Sequence, residues 1–247
     1  MKSGFGFLST IPVGISMVGL EALMSRAYIF SLVGLVLGVI IGGSAYLLSR
    51  IFPAALTSVL VLVVIYKLCG INHLDGLADF GDGVVAHGSP EKKVAAMKDV
   101  NLGTGGVAFI IMILIANYAI INSMQQILLP LSLLVAEVSA KQAMIAFAAF
   151  SKSLHKGFGQ IMIDKTGNRE FLIGLVISVA AIYFVLGPLG LVVLAASQLV
   201  AVYLVVVAKR NFGGATGDGI GATNEICRTV ALAAALTFGG VLPWMRW

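Results

Sequence analysis

The chain has 247 residues, of which 59% are hydrophobic and 11% charged, with a net charge of +5 and a mean hydropathy of +1.03. Soluble domains carry roughly 25% charged residues, so composition excludes a water-soluble globular protein and makes the lipid bilayer the chain's first partner. The basic residues cluster in a few loops, where they set orientation in a membrane, and nucleic acid is excluded as a partner.

Residues 4–24 are apolar but broken by Gly4, Gly6, Pro12, Gly14 and Gly19, which suits a helix lying in the interface or dipping into it. Lys2 precedes only a short, Gly-interrupted apolar stretch without a small-residue cleavage site, an argument against a removable signal peptide. The first clear span is 27–49, flanked by Arg26 and Arg50, and Pro53 opens a second, 53–71, with Lys67 near its end able to snorkel. Further spans follow at 107–123, at 127–150 with Glu137 and Lys141 inside it, at 171–186 and 189–208 joined through Gly187 and Pro188, and at 226–242. Trp244, Arg246 and Trp247 then anchor the end at the interface. Cys69 and Cys227 lie at or near the ends of apolar runs without metal-type spacing and read as packing residues.

The sequence thus predicts an all-α polytopic membrane bundle of about seven spans plus an N-terminal interfacial or re-entrant helix, with 1–247 as one integral membrane domain. Lys92, Lys93, Lys98, Lys152, Lys156, Lys165, Arg169, Lys209 and Arg210 fall in the loops after the second, fourth and sixth spans, whereas the opposite side keeps Arg50 and Arg246. That bias puts the three loops and the N-terminus in the cytoplasm. The polar segments can then converge on one site.

The first of them, Asn72 to Gly83, places Asp75, Asp79 and Asp82 within eight residues. At helical spacing i, i+4 and i+7 they share a face that repels itself unless a cation sits on it. Carboxylates beside membrane helices are costly to retain, and hard oxygen ligands suit Mg²⁺ or Mn²⁺ with positions left for phosphate oxygens. A solvated acidic loop is the plainer alternative. Gly76, Gly81 and Gly83 let a bulky ligand approach the backbone, and His73 is either a base or a helix-end hydrogen-bonding group.

The second segment, Met97 to Gly106, joins Lys98, Asp99 and Asn101 to the amides around Thr104 and Gly105 before a helix start, a setting that binds phosphate. It lacks the order of a nucleotide-binding P-loop. The third, Gly213 to Glu225, sets Asp218 in a Gly-rich stretch with Thr216 and Gly217, then leads through Asn224 and Glu225 into a span. Glu137 and Lys141, four apart, form either an internally neutralised pair or a reach toward an anionic substrate. Lys152, His155, Lys156, Lys209 and Arg210 are orientation signals or phosphate contacts.

His73-Leu74-Asp75-Gly76-Leu77-Ala78-Asp79, then Asp82-Gly83, Met97-Lys98-Asp99, Leu102-Gly103-Thr104 and Gly213-Gly214-Ala215-Thr216-Gly217-Asp218 with Gly221-Ala222 resemble the adenosylcobinamide-GDP ribazoletransferases, or cobalamin synthases. Ile11-Pro12-Val13 is similar to that family's N-terminal motif, and the motifs run in the same order over nearly the whole chain. Departures fall at Thr10, Asn101 and Lys141, where arginine is common in the family. The resemblance implies a multi-pass cell-membrane enzyme, Mg²⁺-dependent, that joins adenosylcobinamide-GDP to α-ribazole or its phosphate and releases GMP. It leaves room for a homo-oligomer or for docking of other cobalamin-pathway enzymes.

On that reading Asp75, Asp79 and Asp82 hold the metal against the diphosphate, and Asp99 or Asp218 completes the site. One of these carboxylates takes the proton of the ribazole hydroxyl, and Lys98 offsets charge on the departing GMP. His73, Asn101, Thr104, Gly105, Thr216, Gly217 and Asn224 supply further substrate contacts. Two rivals are a CDP-alcohol phosphotransferase, whose continuation after Asp-Gly is missing from Asp82-Gly83-Val84-Val85-Ala86-His87, and a divalent-cation transporter, which calls for carboxylates at mid-span.

Overall fold

The computed structural model describes residues 1–14, 16–154 and 158–242, and within them the chain is all-helical, without a β-strand. In order the helices are α1 (Lys2–Leu8), α2 (Met17–Met24), α3 (Ile29–Ile51), α4 (Ala54–Cys69), α5 (Asn72–Val85), α6 (Pro90–Met97), α7 (Thr104–Ser123), α8 (Leu129–Ala149), α9 (Phe158–Lys165), α10 (Asn168–Phe212) and α11 (Gly217–Phe238). His155, Lys156, Trp244, Arg246 and Trp247, given roles from the sequence, lie outside the described residues.

Four helices, α3, α7, α8 and α10, are long and apolar enough to cross a membrane, and α4 with α5 makes a fifth if the bent pair counts as one span. The difference from seven has physical causes. α4 has 16 residues, about 24 Å of helix against a hydrocarbon core of ~30 Å. α11 carries Asp218, Glu225 and Arg228. The expected pair 171–186 and 189–208 is merged in α10, whose 45 residues would measure about 67 Å if straight. It is broken at Gly187 (φ 56°, ψ −138°), just before Pro188.

Residues 4–24 form two short helices rather than one. Leu8, Leu23 and Met24 are buried against the bundle. Between the helices, Thr10 donates from its amide to the Leu68 carbonyl (2.8 Å) and from Oγ1 to the Lys67 carbonyl (2.7 Å). These bonds occupy carbonyls that the end of α4 leaves without intrahelical partners. Gly70, at φ 75°, then turns the chain so that α5 leaves α4 at 97°. We read α5, polar along one face and nearly perpendicular to α4, as outside the spanning segments.

α8 is the axis of the bundle: 17 of its 21 residues are buried, and α3, α10 and α11 pack around it. α3 meets it through Gly34, Gly38 and Gly42. A Cβ on Gly38 would lie 2.8 Å from the backbone of Leu134, and one on Gly42 would lie 2.5 Å from the Pro130 carbonyl oxygen. Lipid tails are as apolar as leucine, so membrane helices associate through this kind of close backbone contact. The glycines of α5 serve the same end. Gly76 faces the backbone of Asp218, Gly81 faces Phe109, and Gly83 faces Met97 and Phe212, so helices fill the space that the sequence offered to a ligand.

Gly38→Leu should therefore lower stability by about 1–3 kcal/mol or more through overpacking. Gly43→Ala, one turn further on and with nothing within 4 Å of the added Cβ, should leave stability unchanged or raise it slightly. Thermal unfolding of the detergent-solubilised variants checks the pair, and equal losses at both positions would contradict the packing.

Candidate active site

Because α5 is helical throughout, Asp75, Asp79 and Asp82 do share a face. α5 crosses α11 where both backbones are bare: a Cβ on Gly76 would meet the Asp218 carbonyl oxygen at 3.0 Å, and one on Gly221 would meet the Cα of His73 at 3.2 Å. The crossing sets Asp218, in the first turn of α11, beside the α5 carboxylates. Thr216 caps that helix, its Oγ1 accepting from the Gly219 amide at 3.2 Å.

Asp79 is half-buried and is pushed up to about 6 from its ordinary 3.8, first by burial, then by the neighbouring charges of Asp218, Asp75 and Asp82. Partial removal from water and like charges both disfavour a carboxylate. Among the described residues, Asp75, Asp79 and Asp82 make no salt bridge. Asp99 is not among the charges that act on Asp79. It is exposed, and its Oδ1 accepts from both the amide and Nδ2 of Asn101 at 2.9 Å, which holds its carboxyl below the usual range. Lys98 is exposed at the end of α6.

Asp82 does a different job. Its Oδ2 accepts from the Gly103 amide and its Oδ1 from the Gly106 amide, both at 2.8 Å. These are the cap and third positions of α7, so two amides that the sequence offered to phosphate are satisfied within the protein. Thr104 is exposed beside them, while Gly105 is buried against the Gly81 carbonyl.

No three His, Cys, Asp or Glu side chains among the described residues are arranged to hold an ion by themselves. Asp82, with both oxygens bonded, contributes little to such a cage. Asp75 and Asp79 have the donor chemistry for Mg²⁺ that takes its remaining ligands from water and phosphate, the usual manner of this ion. The residues fit a shared ion rather than an all-protein site.

Beside Asp75 and Asp218 opens a cavity of about 340 Å³, lined also by Asn72, His73, Gly217 and Met144. His73 is buried, and its Nδ1 has no partner among the described residues. Burial, then the charges of Lys141 and Arg228, hold it well below the ordinary imidazole range and therefore neutral.

Deeper in the bundle lies an ionic network that the sequence reading grasped only in part. Lys141 bonds to Glu137 at 3.2 Å and to Oδ1 of Asn224 at 2.7 Å, and Asn224 Nδ2 donates to Glu225 at 2.8 Å. Arg228 joins Glu137 through Nε at 2.5 Å and Glu225 through Nη1 at 2.6 Å, and the Tyr66 hydroxyl donates to Glu225 at 3.1 Å. Asn224 is thus fully buried with its carboxamide engaged. Arg228 was missed, although the balance of two acids and two bases on α8 and α11 was a signal in the sequence that such a network forms.

The family described as Cobalamin-5-phosphate synthase matches residues 1–236. The chain is similar to an adenosylcobinamide-GDP ribazoletransferase of Methanococcoides burtonii, 43% identical over 99% of this chain and 96% of the relative. It is also similar to proteins of the same name from Methanosarcina mazei, 42% identical over 100% and 96%, and from Acetivibrio thermocellus, 34% identical over 92% and 93%. No solved structure matches the chain.

Two outcomes separate the α5 aspartates by their surroundings. Asp82→Ala should cost about 0.5–2 kcal/mol of stability as α7 loses its cap, read as a lower unfolding midpoint. Folded Asp79 binds its proton more tightly than the unfolded chain, so that contribution is complete below about 3.8 and is lost as pH rises through about 6. Asp79→Asn cannot lose a proton and should gain stability over the parent across that window, keeping the gain above it. Solvent screening holds the gain to about 1 kcal/mol or less. Melting both proteins in chelator on either side of the window measures it.

Proposed function

Since the chain belongs to the Cobalamin-5-phosphate synthase family, we propose that it joins adenosylcobinamide-GDP to α-ribazole or its phosphate, releasing GMP and closing the nucleotide loop of cobalamin. The observation that carries this reading to named residues is the crowding of Asp79 by Asp218, Asp75 and Asp82 where α5 crosses α11. A diphosphate brings more negative charge, so a site for it needs a cation, and these carboxylates supply the ligands.

Asp75 and Asp79 would hold Mg²⁺, which would offset the charge of the diphosphate oxygens. In the transfer, an oxygen of a ribazole hydroxyl bonds to the phosphorus attached to cobinamide. The bond from that phosphorus to the bridging oxygen breaks, and the bridging oxygen leaves with GMP. Asp218, across the crossing from Asp79, accepts the hydroxyl proton. Lys98, exposed at the end of α6, offsets charge on GMP, while Asp82 keeps α7 in place. Orientation and charge neutralisation supply most of the acceleration in such phosphoryl transfers.

We count α4, α11 and the two lengths of α10 as crossings beside α3, α7 and α8, local thinning of the bilayer accommodating the short α4; α5, α6 and the polar segments before α7 and α11 then share one side. The excess of lysine and arginine in those loops supports a cytoplasmic placement in the cell membrane. The transporter reading finds little support, because the carboxylates within the bundle, Glu137 and Glu225, are each paired with Lys141 or Arg228.

Purified protein in liposomes, given adenosylcobinamide-GDP, α-ribazole and Mg²⁺, should yield GMP and a cobalamin product. Chelation should stop the reaction and added Mg²⁺ should restore it. Asp79→Asn should insert normally yet lose at least ~10²-fold in turnover. Failure of the parent protein to form either product would overturn the reading, and near-normal turnover of the variant would remove Asp79 from it.

A further inference from the structure

A second cavity, of about 160 Å³, opens between the end of α8 and the end of α10, with Lys152 and Lys209 in its lining. Pockets that enclose a small organic ligand begin near ~300 Å³, so this one admits a phosphate-sized group and not a nucleoside. No carboxylate lines it, and neither lysine forms a salt bridge among the described residues. A lysine in the last turn of a helix offsets the helix dipole, which accounts for Lys209 by itself. It does not bring Lys152, from the segment after α8, to the same cavity. Two cations facing one space without a counterion select an anion.

The position of the cavity says which anion. α8 and α10 are both apolar enough to cross a membrane, and the cavity sits where they end, at the level where lipid headgroups meet water. Val202, Val205, Val206 and Lys209 recur at helical spacing and so share one face of α10. Val202 and Val206 are exposed, as is Phe150, which lines the cavity with Val205. An apolar lane thus runs along α10 to the two lysines. We propose that the site holds an anionic phospholipid, its headgroup phosphate between Lys152 and Lys209 and an acyl chain along Val202 and Val206. A soluble phosphate ester would satisfy the lysines and leave the lane uncovered, whereas basic pockets between membrane helices suit acidic headgroups.

The lipid site connects to the candidate active site through the backbone. The Ala215 amide donates to the Lys152 carbonyl at 2.8 Å, and the Leu154 amide donates to the Ala215 carbonyl at 3.0 Å. Ala215 directly precedes Thr216, whose side chain caps α11, and Asp218 stands in the first turn of that helix. A lipid that ties Lys152 to Lys209 therefore steadies the segment that places Asp218. This effect on turnover rests on the function proposed above; the binding does not.

Titrating the detergent-solubilised protein with dioleoylphosphatidylglycerol should raise its unfolding midpoint, while dioleoylphosphatidylcholine, with the same chains and no net charge, should raise it far less. In Lys152→Gln/Lys209→Gln, two exposed positions, the half-saturating phosphatidylglycerol concentration should rise at least ~5-fold. Lys2→Gln/Lys92→Gln removes the same charge from other exposed positions and should stay within about twofold of the parent. An equal loss in that control reduces the effect to general surface charge and overturns the site. A response to α-ribazole phosphate as large as that to the lipid, and abolished by the same two substitutions, overturns the lipid in favour of a soluble ester. In phosphatidylcholine liposomes, added phosphatidylglycerol should raise turnover of the parent and not of Lys152→Gln/Lys209→Gln. An equal rise in both overturns the link to Asp218 while the melting data still decide the binding. Absence of product from the parent overturns the function proposed above and leaves the melting result in force.

Discussion

Where α5 crosses α11, Gly76 lies against the backbone of Asp218 and Gly221 against that of His73. That contact sets the separation of every group assigned to chemistry. The spacing of the two helices follows the smallest residues at the crossing, because glycine lets the backbones touch. A side chain at either glycine would part α5 from α11 and move Asp218 away from Asp75 and Asp79. The same two glycines shape the cavity, because His73, Asp75 and Asp218 all line it.

The crossing holds its register because α11 is fixed elsewhere. Seven and ten residues beyond Asp218, Glu225 and Arg228 engage Glu137 on α8, directly or through Lys141 and Asn224, and Tyr66 on α4. Buried ion pairs add little net stability over apolar packing, but removing one member strands a charge, so such a network resists any rotation of α11 that would separate its partners. Tyr66 also ties in the end of α4, from which α5 turns at Gly70. The strap at Thr10 closes over that same end. Both helices of the crossing are thus held from below by contacts unrelated to the reaction.

Much of this was legible in the sequence, for reasons that differ by residue. The shared face of Asp75, Asp79 and Asp82 follows from spacing within one helix, and the long apolar runs of α3, α7 and α8 follow from composition. The bond from Asp82 to α7 was not legible, because its partners lie 21 and 24 residues away and an amide leaves no mark in a sequence. The Gly34, Gly38 and Gly42 stripe was visible as spacing, yet only the structure shows which helix meets it. Gly187 and Pro188 were read as a junction between two spans. The structure bears this out: the helix breaks at Gly187, which leaves helical geometry just before Pro188. Arg228 escaped because its role depends on charges carried by another helix.

Asp79 and Asp82 show why the motif alone cannot assign roles. They are the same residue type, one turn apart on one face of one helix. Asp82 meets two amides at the start of α7 and completes a helix end. Asp79 meets Asp218 across a glycine crossing and Asp75 one turn back on its own helix, where burial and like charge oppose its ionisation. A carboxylate satisfied by the protein's own donors has little left to offer a substrate, whereas one crowded by other carboxylates is relieved only by a cation or a proton. The chemistry of the face is therefore divided by what α7 and α11 present to it: the helix that bears three aspartates uses the last to fix its neighbour and, in the function proposed above, the first two to receive the charge of the substrate.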